Sequence, residues 1–304
     1  MSDPDLFIES RIELSRADAQ SLVRVLDSSR PLTHFSGYYE VLYDEGATAG
    51  KDRTEIVLYF TPDAHSRRLE CELLLAALDI EEYAVREQSV LRDDYLQAYR
   101  EHYRSFPIGR SFLIVPSWEQ DTRIEAGRRP IYLDPGLAFG TGQHATTALC
   151  LEYIEQYLPA NTRLIDAGCG SGILSIAAAL VGVRNILAFD VDSNAVQATR
   201  NNAAQNLKSC PDIMERIQVV PGGFELSEIE QFDATVLIGN LTANVIRANY
   251  AAIVGSRARR AVLSGILTDK EGEIIEIFAS EWHLNQKSNS DGWSLLEFKR
   301  GADN

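Results

Sequence analysis

Residues 166–172 read Asp-Ala-Gly-Cys-Gly-Ser-Gly, and no other stretch constrains this chain as much. An apolar segment (Leu164, Ile165) runs into them, and a helix-periodic apolar segment (Ile173, Ile176, Ala177, Leu180) runs out. A strand that ends in alternating glycines and opens a helix lets the backbone turn sharply and lets a ligand press against bare main chain. A nucleotide-like cofactor is therefore the first expectation.

The spacing narrows that expectation. A dinucleotide site usually reads G-x-G-x-x-G, with a pyrophosphate held at the helix N-terminus. Here the glycines are Gly168, Gly170 and Gly172, and Asp166 stands at the strand end just before them. A carboxylate there repels a pyrophosphate but tolerates a cationic sulfonium or ammonium. S-adenosylmethionine is thus favoured over a nicotinamide dinucleotide, with Asp166 expected to bond loop amides and bias the local field.

From Leu133 onward strands and helices alternate. Strands are expected at Arg163–Asp166, Asn185–Val191, Ile217–Val220, Ala234–Ile238 and Ala261–Leu263. Helices are expected at Ala145–Tyr157, Ile173–Val181, Ala195–Leu207, Ala243–Val254 and Lys270–Ala279. Such alternation implies a parallel sheet covered on both faces. The end differs: Trp282–Gln286 and Trp293–Lys299 flank a short polar loop containing Asp291-Gly292, a hairpin signature. A parallel sheet with an antiparallel terminal strand fits the class I methyltransferase (Rossmann-like) α/β fold better than a dehydrogenase.

The N-terminal 92 residues read differently. Strand-like segments at Leu6–Leu14, Gly37–Tyr43, Glu55–Phe60 and Glu82–Val90 are interleaved with helical spacing at Ala17–Leu26 and Arg67–Leu78. The order β-α-β-β-α-β predicts a small α+β, ferredoxin-like domain. It holds no catalytic cluster and is read as a substrate-recognition module. Residues 93–130 form a bridge, with a helix at Asp94–Tyr103 and a strand at Ser111–Val115, and residues 131–304 form the cofactor-binding domain.

Composition excludes several classes. A formal net charge of −15 disfavours nucleic acid and anionic membranes and favours a basic partner. The four cysteines show no Cys-x-x-Cys pairing and read as free thiols in a reducing compartment. The five histidines lack metal-ligand spacing, so no metal is expected. The acidic N-terminus does not resemble a signal or transit peptide, and no stretch approaches the roughly 20 apolar residues of a membrane span. A cytoplasmic protein is expected; the oligomeric state stays open.

Three further constellations carry chemistry. Asp190 ends the strand after the glycine turn, where a carboxylate can accept from two ribose hydroxyls; Asp192 or Ser193 can cap the helix that follows. Asn240 follows the apolar strand Ala234–Ile238, at the carboxyl edge where open α/β sheets place ligands. Its amide can accept a hydrogen bond from an attacking amine, or it can serve as a helix cap. The glycine- and threonine-rich loop from Leu133 to Thr147 can close over a ligand, with Phe139 as an apolar wall and the threonines supplying hydroxyls. His144 within it is read as structural rather than as a base.

The runs LDPGLAFGTGQHATTALCLEYI, LIDAGCGSGILSIAAA, FDVDSNAVQATRNNA, IGNLTANVI and LSGIL, with RSFLIVPSW ahead of them, resemble the ribosomal protein L11 methyltransferases. That resemblance implies a class I fold behind a ferredoxin-like recognition domain. It also implies an enzyme that moves methyl groups from S-adenosylmethionine to lysine side chains and the N-terminal amine of a basic large-subunit ribosomal protein. Position by position, Thr147, Gly168, Asp190 and Asn240 match the family's cofactor contacts and Phe139 its loop aromatic; Gly170 joins them from the glycine turn, and Asn240 is the catalytic candidate. Gln143 and Ala145 stand where Thr and Pro are usual, and the asparagine motif reads Gly-Asn-Leu-Thr rather than Ala-Asn-Ile-Leu. The alternatives are a methyltransferase acting on another protein lysine or a small molecule, a cofactor-binding assembly protein without turnover, and an NAD-dependent oxidoreductase.

Overall fold

The computed structural model describes residues 6–29, 35–41, 53–60, 67–91, 103–134 and 142–301. The chain forms two compact units, Met1–His102 and Tyr103–Asn304.

In the first unit β1 (Leu6–Ser15), α1 (Arg16–Ser29), β2 (Phe35–Val41), β3 (Arg53–Phe60), α2 (Arg67–Ala77) and β4 (Ala84–Leu91) follow one another. The strands form an antiparallel sheet in the order β2-β3-β1-β4. Register follows from alternation: Ile12 lies opposite Ile56 on one side and Val85 on the other. One face of β1 and β3 (Ile12, Leu14, Ile56, Leu58, Phe60) packs on Leu22 and Leu26 of α1 and Cys71 and Leu75 of α2. Ser15 starts α1 reciprocally: its Oγ accepts from the Asp18 backbone N–H at 3.1 Å and donates to the Asp18 carboxylate at 2.7 Å.

The second unit opens with β5 (Phe106–Ile108), β6 (Phe112–Pro116) and β7 (Arg129–Leu133), a separate small sheet. The stretch expected as a bridge therefore folds, from Tyr103, with this unit. Tyr103 is buried, its ring edge-on to Phe106 and Trp118. Most of the helix expected at Asp94–Tyr103 lies outside the described residues, as does the loop expected at Asp44–Arg53 save its last residue.

The main sheet has seven strands: β8 (Arg163–Ala167), β9 (Asn185–Asp190), β10 (Ile217–Pro221), β11 (Val236–Asn240), β12 (Arg260–Leu267), β13 (Trp282–Ser290) and β14 (Trp293–Arg300), in the order β10-β9-β8-β11-β12-β14-β13. Strands β8 to β12 run parallel, and β14 and β13 close the sheet antiparallel. Burial on both faces explains their unbroken apolar runs, as in Ile186-Leu187-Ala188-Phe189. Asp291 (φ 49°) and Gly292 (φ 79°) form the terminal hairpin turn.

The principal helices are α3 (Ala145–Tyr157), α4 (Ile173–Leu180), α5 (Ser193–Gln205), α6 (Ala243–Ala248), α7 (Tyr250–Gly255) and α8 (Glu271–Phe278). The single helix expected over Ala243–Val254 is two. Asn249 breaks it, with φ −109° and its side-chain amide donating to the Val245 carbonyl, a local bond that competes with helix continuation. The chain lays β9 and β10 on one side of β8, then crosses to lay β11 and β12 on the other. This reversal makes the carboxyl ends of β8 and β11 the topological switch point, the position where open α/β sheets bind ligands.

Candidate active site

Three loops meet at that edge. The first is the glycine turn after β8, where Gly168, Gly170 and Gly172 have φ of 70°, 54° and 82°. A Cβ on Gly172 would lie 3.0 Å from the Thr199 Cα, so the third glycine sets how closely α4 approaches α5. The turn is fastened to β9: Gly168 and Cys169 donate from their backbone N–H groups to the Phe189 carbonyl at 2.9 and 3.0 Å. Thr199 Oγ1 donates to the Gly170 carbonyl at 3.0 Å.

Asp190 ends β9. One carboxylate oxygen accepts from the Gly170 N–H at 3.0 Å and the other from the Asp192 N–H at 2.9 Å. The cap of α5 is Asp192, which accepts from the Asn194 N–H at 2.8 Å. Asp190 is thus not used as the helix cap, and each of its oxygens retains a lone pair.

Asp166, expected to bond loop amides, instead accepts at Oδ2 from the Ser175 hydroxyl of α4 at 2.6 Å. It is fully buried, and its Oδ1 has no partner among the described residues. Burial pushes its pKa up to about 6; the Ser175 hydrogen bonds oppose that rise and the Asp190 charge adds to it.

Asn240 ends β11. Its Nδ2 donates to Thr146 Oγ1 at 3.0 Å and to Thr147 Oγ1 at 3.2 Å. The cap of α6 is Thr242, which accepts from the Val245 N–H, so Asn240 is not used as a cap. Both threonines are buried at the start of α3. The Ser264 hydroxyl, on β12 beside Asn240, donates to the Thr146 carbonyl at 3.1 Å and fixes α3 over the sheet edge. His144 caps α3, its ring edge-on to Trp293 with centroids 5.0 Å apart.

The fold brings together Thr147, Gly168, Gly170, Asp190 and Asn240; Phe139 lies outside the described residues. Gly168 and Asn240 approach through Leu241, whose Cδ2 would be 2.7 Å from a Cβ on Gly168. Thr146, one of the threonines expected to supply hydroxyls, does so to Asn240, whereas sequence reasoning passed over two asparagines. Asn206 pairs with the backbone of Tyr132, accepting its N–H at 2.9 Å and donating to its carbonyl at 2.8 Å. Asn202 accepts from the Asp134 N–H at 2.8 Å and donates to the Ser171 carbonyl at 2.9 Å. Together they hold the end of β7 against α5, the helix that follows β9, and Asn202 also ties α5 to the glycine turn at Ser171. Two asparagines at an i, i+4 spacing on a helix were the available signal.

Residues 10–301 match the family described as ribosomal protein L11 methyltransferase (PrmA). The chain belongs to that family. It is 33% identical over 278 residues to the ribosomal protein L11 methyltransferase of Leptospira interrogans, covering 87% of this chain and 90% of that one. It is 33% identical over 292 residues to the ribosomal protein L11 methyltransferase of Staphylococcus saprophyticus, covering 92% and 90%. Among solved structures, the ribosomal protein L11 methylase of Lactobacillus delbrueckii subsp. bulgaricus superposes with a TM-score of 0.56 at 27% identity, over 65% of this chain and 99% of that one. As an L11 methyltransferase the chain uses S-adenosylmethionine. The sheet edge fits such a cofactor: it offers a glycine turn half-buried at Gly168 and Gly170 with no side chain there to hold a ligand off the backbone, the spare lone pairs of Asp190, and a buried Asp166 carboxyl to which a cationic ligand is complementary. No helix among the described residues is long and apolar enough to cross a membrane.

Proposed function

We propose that this chain transfers methyl groups from S-adenosylmethionine to lysine side chains and the N-terminal amine of ribosomal protein L11. The observation that carries the chemistry is the Asn240 amide: both Nδ2 hydrogens are taken by Thr146 and Thr147, and no donor among the described residues reaches Oδ1. Oδ1 is therefore available to accept from an incoming amine.

When bound, S-adenosylmethionine supplies an electrophilic methyl group on a sulfonium that departs as a neutral thioether. Asp190 would hold the ribose hydroxyls, the main chain at Gly168 and Gly170 would lie against the adenosyl group, and Thr147 and Phe139 would complete the pocket. The amine must arrive neutral: free lysine has a pKa of about 10.4 and an N-terminal amine about 7.7–8.0. Withdrawal from water lowers the lysine value, and Asn240 Oδ1 accepting one N–H aims the nitrogen lone pair away from itself, along the line of attack. An amine held by Asn240 Oδ1 would take that methyl group as the thioether departs, and its excess proton would leave to solvent. Because the leaving group is neutral, alignment carries much of the acceleration, roughly 7–11 kcal/mol in favourable cases.

The first unit is the ferredoxin-like recognition domain in this reading, and the charge of −15 steers a basic ribosomal protein toward the enzyme in the cytoplasm. Incubation with labelled cofactor and ribosomal subunits lacking L11 methylation, read by intact-protein and peptide mass spectrometry, tests it. Mass steps of one methyl group on L11 amines are expected; L11 left unmodified by a chain that binds the cofactor would overturn it.

A further inference from the structure

We infer that His144 is a positioning residue that fixes which end of the Asn240 amide faces the substrate. This rests on the reading of Asn240 as the group that meets the amine. The geometry is a chain of hydrogen bonds whose polarity is set at one end. The Thr146 backbone N–H points at His144 Nδ1 at 3.3 Å, and a backbone N–H can only donate. Nδ1 must therefore be the unprotonated, accepting nitrogen. Thr146 Oγ1 lies 2.7 Å from the same Nδ1, so its hydroxyl proton points to the histidine. That leaves Thr146 Oγ1 to accept from Asn240, and only the Nδ2 end of the amide can donate to it, at 3.0 Å. Thr147 Oγ1 takes the second Nδ2 hydrogen.

With the opposite tautomer the chain fails at two links. An Nδ1–H would face the Thr146 N–H, donor against donor. The Thr146 hydroxyl, no longer directed at the ring, could donate to the amide oxygen and stabilise Asn240 turned end for end, presenting N–H groups to an incoming N–H. Trp293, buried and edge-on to the imidazole, packs against the ring that holds this polarity. His144 does this without touching substrate and without moving a proton during the reaction.

The direct test is the tautomer of His144 in the intact enzyme, read from its ring nitrogen shifts by long-range 15N–1H correlation at neutral pH. The Nε2-protonated form, with Nδ1 bare, is expected; an Nδ1-protonated ring would overturn the inference. Kinetics give a second, independent test. Thr146→Val keeps the backbone cap but cuts the chain, so kcat for L11 should fall about tenfold or more while the Kd for S-adenosylmethionine stays within about threefold. Thr146→Ser should restore kcat. His144→Ala should lower kcat in the same way, and His144→Asn, whose side-chain oxygen can accept both bonds, should recover it. A folded Thr146→Val enzyme with unchanged kcat would overturn the positioning role. Full activity of Asn240→Ala would instead overturn the reading of Asn240, and leaves the tautomer result to stand or fall alone.

Discussion

The carboxylate of Asp190 accepts a hydrogen bond from the backbone N–H of Gly170 at 3.0 Å, tying the end of β9 to the turn that leaves β8. One side chain thus shapes the glycine loop from outside it. With Asp192 capping α5, Asp190 makes one backbone bond per oxygen and keeps acceptor capacity facing the sheet edge.

Asp190→Ala should weaken S-adenosylmethionine binding by about tenfold or more, since hydrogen bonds to a charged group contribute about 1.5–3 kcal/mol each. Isothermal titration of the folded variant checks this. Undiminished affinity would remove Asp190 from the cofactor site.

Asp166 sets a pH dependence whose sign is unusual for a carboxylate. Its folded-state pKa is raised to about 6 from a usual 3.8, so the native chain holds the proton more tightly than the unfolded one. This group's favourable contribution is present at low pH and is lost as pH rises through about 6. Asp166→Asn removes the titration, so the variant should gain stability relative to wild type by up to about 3 kcal/mol between about pH 4 and pH 8. Urea unfolding of the cofactor-free proteins at several pH values measures the difference. A gap that is flat with pH, or of opposite sign, would contradict it.

What the sequence disclosed follows the strength of local signals. The β8–turn–α4 segment was legible because an apolar run, alternating glycines and a second apolar run permit little else. Asp190 and Asn240 were legible as polar residues ending apolar strands. The short strands β5 and β7 were not, because Pro107 and Pro130 stand where a ladder donor would be expected. Asn202 and Asn206 fall within the helix expected at Ala195–Leu207, yet they are buried and bond the backbone of another segment, a long-range pairing no periodicity encodes. The link from His144 to Asn240 leaves no trace in the sequence, since it depends on the direction of each hydrogen bond and not on residue type alone.

Gly265→Ala should damage the site from the neighbouring strand. Gly265 has φ +84°, and a Cβ there would lie 2.5 Å from the Leu241 carbonyl oxygen and 3.0 Å from Asn240 Oδ1. The left-handed backbone alone costs a side chain roughly 1–2 kcal/mol, and the backbone clash displaces the segment carrying Asn240. A misplacement near 1 Å can cost about 100-fold in rate, so kcat should fall by that order while S-adenosylmethionine still binds. Single-turnover kinetics alongside thermal unfolding separate the two effects; a stable variant with normal turnover would show that Asn240 does not require this placement.

The last prediction concerns the division of labour between the two compact units. Thr146, Thr147, the glycine turn, Asp190 and Asn240 all belong to the second, whose core includes Ile165, Leu237 and Leu263 of the parallel sheet. The first unit has a separate core built on Ile12, Leu58 and Leu75 and contributes none of those side chains. A chain reduced to residues 103–304 should therefore bind S-adenosylmethionine within about threefold of the full chain, yet lose at least about 100-fold in kcat/KM for L11, because binding energy from remote parts of a substrate is used to orient its reacting atom. Cofactor titration reports whether the shortened chain is folded, and labelled methyl transfer reports whether it still recognises its substrate. Undiminished L11 methylation by residues 103–304 would move recognition into the second unit and leave the first without a role in substrate choice.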